Sequence, residues 1–273
     1  MKKKIFFTDL DETLLTREKN MTPATVDVIT KLTEKGHYVA LTSGRPLDSV
    51  MEARRLLPIS DQGLFYIANN GSQIVNAKTL EKIREVRMTM EEVLYLFQAA
   101  EENGIHIQTY TDTAIISKKQ TPELDFYQKT IHMPSLITDD IKGALILPPF
   151  KCLSISLNGR DKIEAFRNAL LPWAEGHVSL ICSTDIVLEM FPSSAGKGAA
   201  LQYLAQYLNI PISDTVSAGD QDNDISMLEA AGVGIAMCNG SERAKAAADI
   251  ITQTDNNHDG LVPLLNELFA LSS

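Results

Sequence analysis

Both ends of the chain alternate short, unbroken apolar runs with amphipathic stretches, which predicts buried parallel strands joined by helices. Ile5-Phe6-Phe7 runs into Asp9 and reads as the first strand. Thr22-Pro23 supplies an N-cap and first-turn proline, Val26, Ile29 and Leu32 form one helical face, and Gly36 ends that helix. Tyr38-Val39-Ala40-Leu41 follows as a second strand, so Asp9 and Ser43 stand at the carboxyl ends of neighbouring strands of one strand-helix-strand unit. Toward the other end, Thr215 to Ala218, Val233 to Ala236 and Ala248 to Ile251 repeat the strand pattern, with helices between them.

Between these ends the period changes. Thr89 and Glu92 form a capping box for a helix bearing Val93, Leu96 and Phe97, closed by Gly104. Ile105 to Tyr110 and Ala114 to Ser117 predict a hairpin whose first arm alternates as a half-buried strand. Leu153, Ile155 and Leu157 alternate with polar residues, a helix covers about Lys162 to Trp173, and two strands flank Ser183-Thr184-Asp185. The fold class is therefore α/β: a Rossmann-like parallel-sheet core of residues 1-84 and 190-273, with an α+β module at 85-189 inserted into it. No internal repeat or low-complexity tract is present.

Composition narrows the partners. A formal net charge of -10 disfavours nucleic acid and anionic membrane surfaces, so an anionic substrate must be met by local cations or a metal. No apolar stretch reaches the roughly 18 residues of a membrane span, and the basic start at Lys2-Lys3-Lys4 is cut short as a leader by Asp9 and Asp11. Cys152, Cys182 and Cys238 are odd in number and lack a Cys-x-x-Cys pair, which fits reduced thiols in the cytoplasm and small core residues.

Four segments carry chemistry. Asp9-Leu10-Asp11-Glu12-Thr13 places two carboxylates where open α/β sheets bind ligands, although an Asp-x-Asp alone reads far more readily as a solvated acidic turn, and it is the other segments that reverse this. Ser43-Gly44-Arg45-Pro46 offers a hydroxyl, an open backbone amide and a guanidinium. Lys197 starts an amphipathic helix with Leu201, Leu204 and Leu208, a placement that suits an anion. It is not a P-loop, because Phe191 occupies the first glycine position and Gly198 replaces the required Ser or Thr. Gly219-Asp220-Gln221-Asp222-Asn223-Asp224 crowds acids after a strand, an arrangement that calls for a cation, and it lacks the spacing of an EF-hand. The five histidines, His37, His106, His132, His177 and His258, have no metal-ligand spacing, Gly232-Val233-Gly234 lacks the context of a dinucleotide site, and Trp173 reads as a helix anchor.

In this order the four segments resemble the motifs of the haloacid dehalogenase superfamily, and the long insertion resembles the larger, C2B type of cap in its Cof-type branch of sugar-phosphate phosphatases. Asn70-Gly71, Glu189, Gly232 to Met237 and Asp259-Gly260-Leu261-Val262 extend the resemblance over essentially the whole chain. The resemblance implies a Mg²⁺-dependent phosphatase of small phosphorylated metabolites, a monomer or homodimer. It implies Asp9 as nucleophile and Asp11 as general acid and base, with Leu10, Ser43, Gly44, Lys197 and Asn223 around the phosphate. Asp9, the Asp11 carbonyl and Asp220 would bind the metal with Asp224 behind them, while Arg45 and Asn70 are candidates for substrate contact. Glu12 departs from the glycine common in the family. The cap is expected to close over the site as a lid. A phosphomutase, and a phosphatase of pyridoxal phosphate or flavin mononucleotide, would share these residues. A non-catalytic phospho-aspartate switch would lack both the cap and the second acid.

Overall fold

The first strand is buried on both faces because helices cover both faces of the sheet it founds. In the computed structural model, which describes residues 2–55, 57–111, 113–131 and 133–271, the chain runs through β1 (Ile5–Asp9), α1 (Pro23–Glu34), β2 (Tyr38–Thr42), α2 (Leu47–Arg55), β3 (Leu64–Ala68), β4 (Gln73–Asn76) and β5 (Lys82–Glu85). It then builds a second unit from α3 (Met90–Glu102), β6 (His106–Tyr110), β7 (Ile115–Ser117), α4 (Pro122–Ile131), β8 (Ser135–Ile137), α5 (Ile141–Ala144), β9 (Cys152–Ile155), α6 (Arg160–Ala174), β10 (Val178–Thr184) and β11 (Val187–Pro192). It returns with α7 (Lys197–Tyr207), β12 (Thr215–Gly219), α8 (Ile225–Ala230), β13 (Val233–Ala236), α9 (Glu242–Ala247), β14 (Ile250–Ile251) and α10 (Val262–Leu268).

The first unit comprises Met1–Glu85 and Gly196–Ser273. Its sheet has the order β14-β13-β12-β1-β2-β3-β4-β5, parallel from β14 to β3 and antiparallel at β4 and β5. Alternate residues of β1 feed opposite layers: Phe6 packs with Val28, Ile29 and Leu32 of α1, whereas Ile5 and Phe7 pack with Ala200, Leu201 and Leu204 of α7. Each such fully buried large side chain contributes roughly 1.5–3 kcal/mol, so the double covering requires a continuous apolar run. Thr22 caps α1 by accepting from the Thr25 amide. On that helix the buried face is Thr25, Val28, Ile29 and Leu32, and Val26 is only half-buried.

The second unit comprises Val86–Ala195 and holds a six-stranded sheet of order β10-β11-β9-β6-β7-β8. The Thr89–Glu92 capping box starts α3, and α3 and α6 share a core with Ile107, Cys152, Leu188 and Met190. Trp173 stacks between Tyr95 and His177. Three expectations are corrected here. β6 is buried at His106 and Gln108 as well as at Ile107 and Thr109, because those polar side chains pair with Thr121 and Tyr110 instead of with water. β9 ends at Ile155, and Leu157 lies beyond it, exposed in a turn. The exit from the inserted unit also moves from 189 to Ala195, because β11 continues buried through Pro192 in register with β10. No helix among the described residues is long and apolar enough to cross a membrane.

Candidate active site

Asp9 ends β1, Ser43 directly follows β2, Asp220 directly follows β12, and Lys197 is the first residue of α7. Because β12, β1 and β2 are adjacent and parallel, their carboxyl ends lie side by side. Lys197 Nζ donates to Asp9 Oδ1 and to Asp224 Oδ1, each at 2.5 Å. The other Asp224 oxygen accepts the backbone N–H groups of Asp220 and Gln221 at 2.9 and 3.0 Å, and Asp220 Oδ1 accepts the Thr13 hydroxyl at 2.8 Å. Asp9, Asp220 and Asp224 each bring a carboxylate oxygen to within 4.8 Å of the others, close enough to share one ion.

This buried cluster sets three carboxyls against one ammonium, an imbalance that water does not relieve. Burial, reinforced by the Asp224 and Asp220 carboxylates, pushes the Asp9 carboxyl well above its ordinary range against the pull of Lys197. Burial and the Asp224 charge push Asp220 up to about 6. Burial opposes the charge on Lys197, but Asp224 and Asp9 outweigh it and hold the ammonium above the usual lysine range. The donor set is all oxygen, which fits a hard divalent cation such as Mg²⁺.

Three loops are stitched together beside the cluster. Ser43 Oγ accepts the Arg45 N–H at 3.1 Å, the Asn70 N–H donates to the Ser43 carbonyl at 3.0 Å, and Asn223 Nδ2 donates to Asn70 Oδ1 at 3.2 Å. Asn70 takes a left-handed φ of 54°, which asparagine tolerates better than most residues. Gly71 follows at φ 91°, and a Cβ there would lie 2.2 Å from the Gly196 carbonyl, so only glycine lets this turn seat the start of α7. Gly198 stands where a P-loop has Ser or Thr, and a Cβ there would meet the Ser226 carbonyl at 2.2 Å. Leu10 is wholly buried in the core, so any contact it makes with a ligand is through its backbone.

The Asp11 side chain stands apart from the three clustered carboxylates. Its Oδ2 accepts Arg45 Nε at 2.9 Å, and its Oδ1 accepts Arg45 Nη2 at 2.5 Å and Lys19 Nζ at 2.8 Å. Partial burial pushes this carboxyl up, but Lys19 and Arg45 together outweigh it and hold it below the ordinary carboxylate range. Next to it, Glu12 adopts φ 57° in the turn, with its carboxylate near solvent and 3.8 Å from Arg17 Nε. The departure from glycine thus strains the backbone and does not crowd the site. Glu12→Gly is expected to raise the melting temperature by about 2 °C, since leaving the left-handed region to glycine relieves up to about 1 kcal/mol. A thermal melt checks this, and a lower value would mean that the contacts of Glu12 outweigh the strain.

Sequence reasoning missed several of these positions. Thr13 lay inside the quoted motif, and its partner Asp220 becomes evident only from the fold. Lys19, in a charged Arg17-Glu18-Lys19 run, gave no signal beyond a solvated loop. His37 and His106 are buried, His177 and His258 are exposed, and none joins an acid or cysteine cluster among the described residues, which do not include His132. Cys152 is buried, whereas Cys182 and Cys238 are half-buried, and all three are free.

The first unit thus carries an acid cluster and a buried lysine at the strand ends of a parallel α/β sheet, and an α+β unit is inserted into its chain. The profile of the haloacid dehalogenase-like hydrolases matches residues 6–265, and the chain belongs to that family, in its Cof-type phosphatase branch. A Haemophilus influenzae protein provisionally named a phosphatase is 29% identical over 268 residues, which span 97% of this chain and 98% of that protein. The Bacillus subtilis 5-amino-6-(5-phospho-D-ribitylamino)uracil phosphatase YitU is 25% identical over 272 residues, 96% of each chain. The crystal structure of a haloacid dehalogenase-like hydrolase from Bacteroides thetaiotaomicron superposes with a TM-score of 0.83 at 28% identity, covering 98% of this chain and all of that one.

Proposed function

We propose that the chain is a Mg²⁺-dependent phosphatase that hydrolyses phosphate monoesters of small metabolites, sugar phosphates foremost, through an aspartyl-phosphate on Asp9. The observation that carries this reading is the cluster of Asp9, Asp220 and Asp224 around Lys197, with carboxylate oxygens within 4.8 Å of one another. Asp9 and Asp220, with the Asp11 carbonyl, would hold the ion, while Asp224 spends both oxygens on Lys197 and on two backbone amides and so fixes the frame. Bound there, the ion would offset negative charge shared by the carboxylates and the phosphoryl group.

The chain's own groups then divide the work. An Asp9 oxygen forms a bond to phosphorus as the ester P–O bond breaks, and the electron pair leaves on the substrate oxygen. Lys197 offsets charge at the attacking carboxylate, and Ser43, Gly44 and Asn223 hold the phosphoryl oxygens. Asp11 gives its proton to the departing oxygen, then takes one from the water that displaces Asp9 and releases phosphate. The pairing of Asp11 with Arg45 and Lys19 suits its second, proton-accepting role, because cations favour the carboxylate. Substrate choice is assigned to the inserted unit Val86–Ala195, acting as the cap.

Phosphate release from a panel of sugar phosphates, pyridoxal phosphate, flavin mononucleotide and a phosphorylated ribitylaminouracil, with Mg²⁺ and with EDTA, tests the proposal. The ribityl compound is included because of the likeness to YitU. Hydrolysis of at least one sugar phosphate that stops in EDTA is expected. An isomeric sugar phosphate in place of free phosphate would overturn hydrolysis in favour of a mutase, and a stable phosphoprotein without turnover would overturn both.

A further inference from the structure

Lys19 lies in a tight loop, where the Thr16 N–H donates to the Asn20 carbonyl at 2.7 Å and the Lys19 N–H donates back to Thr16 at 2.9 Å. The loop forces Lys19 to a left-handed φ of 61°, a conformation that disfavours a lysine by roughly 1–2 kcal/mol and suits glycine or asparagine. Stability does not repay this. The Lys19 side chain is 50% exposed and its partner Asp11 35% exposed, and ion pairs at such exposure contribute about 0–1 kcal/mol. What the lysine gains is reach: its ammonium meets Asp11 Oδ1, the same oxygen that Arg45 Nη2 holds, while Arg45 Nε takes Oδ2. An Asp11 carboxylate bound by Arg45 alone could pivot about one planar fork. A second cation from a different loop removes that freedom. Strain kept where it places a charged group beside a reacting carboxyl points to function.

We propose that Lys19 is a positioning residue of the reaction, which with Arg45 fixes the Asp11 carboxylate in the orientation that accepts a proton from the hydrolytic water. The proposal rests on the reading of Asp11 as general acid and base. The loop 16–20 thereby belongs to the proton-transfer apparatus, although it carries no motif of its own. Its effect should fall on hydrolysis of the phosphoryl-enzyme, the step in which water gives up a proton and which an alkyl phosphate and p-nitrophenyl phosphate share.

The test compares Lys19→Asn and Lys19→Arg with the unaltered protein, measuring kcat and KM on an alkyl sugar phosphate and on p-nitrophenyl phosphate, together with thermal melts. Lys19→Asn is expected to lower kcat on the alkyl ester about tenfold, as a small misplacement of a catalytic group does, with KM within about twofold. On p-nitrophenyl phosphate the loss should be similar, because both esters pass through the same phosphoryl-enzyme. The melting temperature should not fall, because asparagine accepts the loop's backbone conformation. Lys19→Arg should restore most of the alkyl-ester activity. In an Asp11→Asn background, Lys19→Asn should lower alkyl-ester turnover no further.

A loss that Lys19→Arg does not restore, accompanied by a lower melting temperature, would make Lys19 structural and overturn the proposal. A raised KM with unchanged kcat would make it a substrate contact and overturn it equally. If Asp11→Asn alone left alkyl-ester turnover intact, the acid-base reading of Asp11 would fall. That result is told apart from a failure of Lys19, in which Asp11→Asn is crippled and Lys19→Asn is not.

Discussion

Asp9→Asn is expected to lower turnover by on the order of 10⁴-fold or more while raising the melting temperature at pH 7 in the absence of metal. The loss follows from chemistry: a carboxamide oxygen does not form the covalent phosphoryl ester, and no other described carboxylate takes its position on Lys197 at the end of β1. The gain follows from electrostatics. Burial first, then the neighbouring Asp224 and Asp220 charges, raises the Asp9 carboxyl well above its unfolded value, against the attraction of Lys197. A group whose folded-state pKa is raised contributes stability that is present at low pH and lost as pH climbs through the folded pKa. As pH rises, the raised Asp9 carboxyl therefore costs the folded protein stability. Asparagine mimics the neutral form, and its carbonyl oxygen still accepts the Lys197 ammonium. Phosphate-release kinetics and melts at pH 7 and pH 4 check both halves: the stability gain should shrink at the lower pH, which favours the neutral carboxyl. Turnover within tenfold of the unaltered protein would remove Asp9 from its role.

Chelation should be as damaging, and its reversal should depend on pH. Treatment with EDTA is expected to abolish turnover, and Mg²⁺ to restore it and to raise the melting temperature more at pH 7.5 than at pH 5. Burial, with help from Asp224 and against hydrogen bonds from Thr13 and Gln221, lifts Asp220 from 3.8 to about 6. In the metal-free protein its contribution to stability is fully present below the unfolded value and disappears as pH rises through about 6. A cation requires the opposite, ionised form, so metal affinity grows over that same window. One pH unit below the folded pKa, about nine-tenths of the groups are protonated, which weakens binding roughly tenfold, or about 1.4 kcal/mol. Melts with and without saturating Mg²⁺ at the two pH values measure this linkage. Equal shifts at both, or full activity in EDTA, would remove Asp220 from the metal set.

The same cluster shows where local reading ends. Strand and helix punctuation was legible wherever a segment's own residues dictate it: Thr22-Pro23 and Gly36 bound α1, Thr89 and Glu92 open α3, and the apolar runs became β1, β2, β12 and β13. The antiparallel extension by β4 and β5 was not legible, because pairing partners are chosen by the neighbouring strand. Nor was the burial of His106 and Gln108, whose polarity reads as solvent exposure until Thr121 and Tyr110 are folded against them.

By itself the sequence determined the kinds of chemistry available and their order: carboxylates, a hydroxyl, a lysine and an acid-rich turn, each following a strand or opening a helix. Only the tertiary structure decided how these groups divide among partners. Lys197 bridges Asp9 from 188 positions away and Asp224 from 27, Thr13 holds Asp220 across 207, and Lys19 and Arg45 close on Asp11 from two different loops. The reason is range. Propensity and hydrophobic period act over a few residues, whereas a charge responds to whatever lies within several ångströms in space, and burial strengthens that response by removing water.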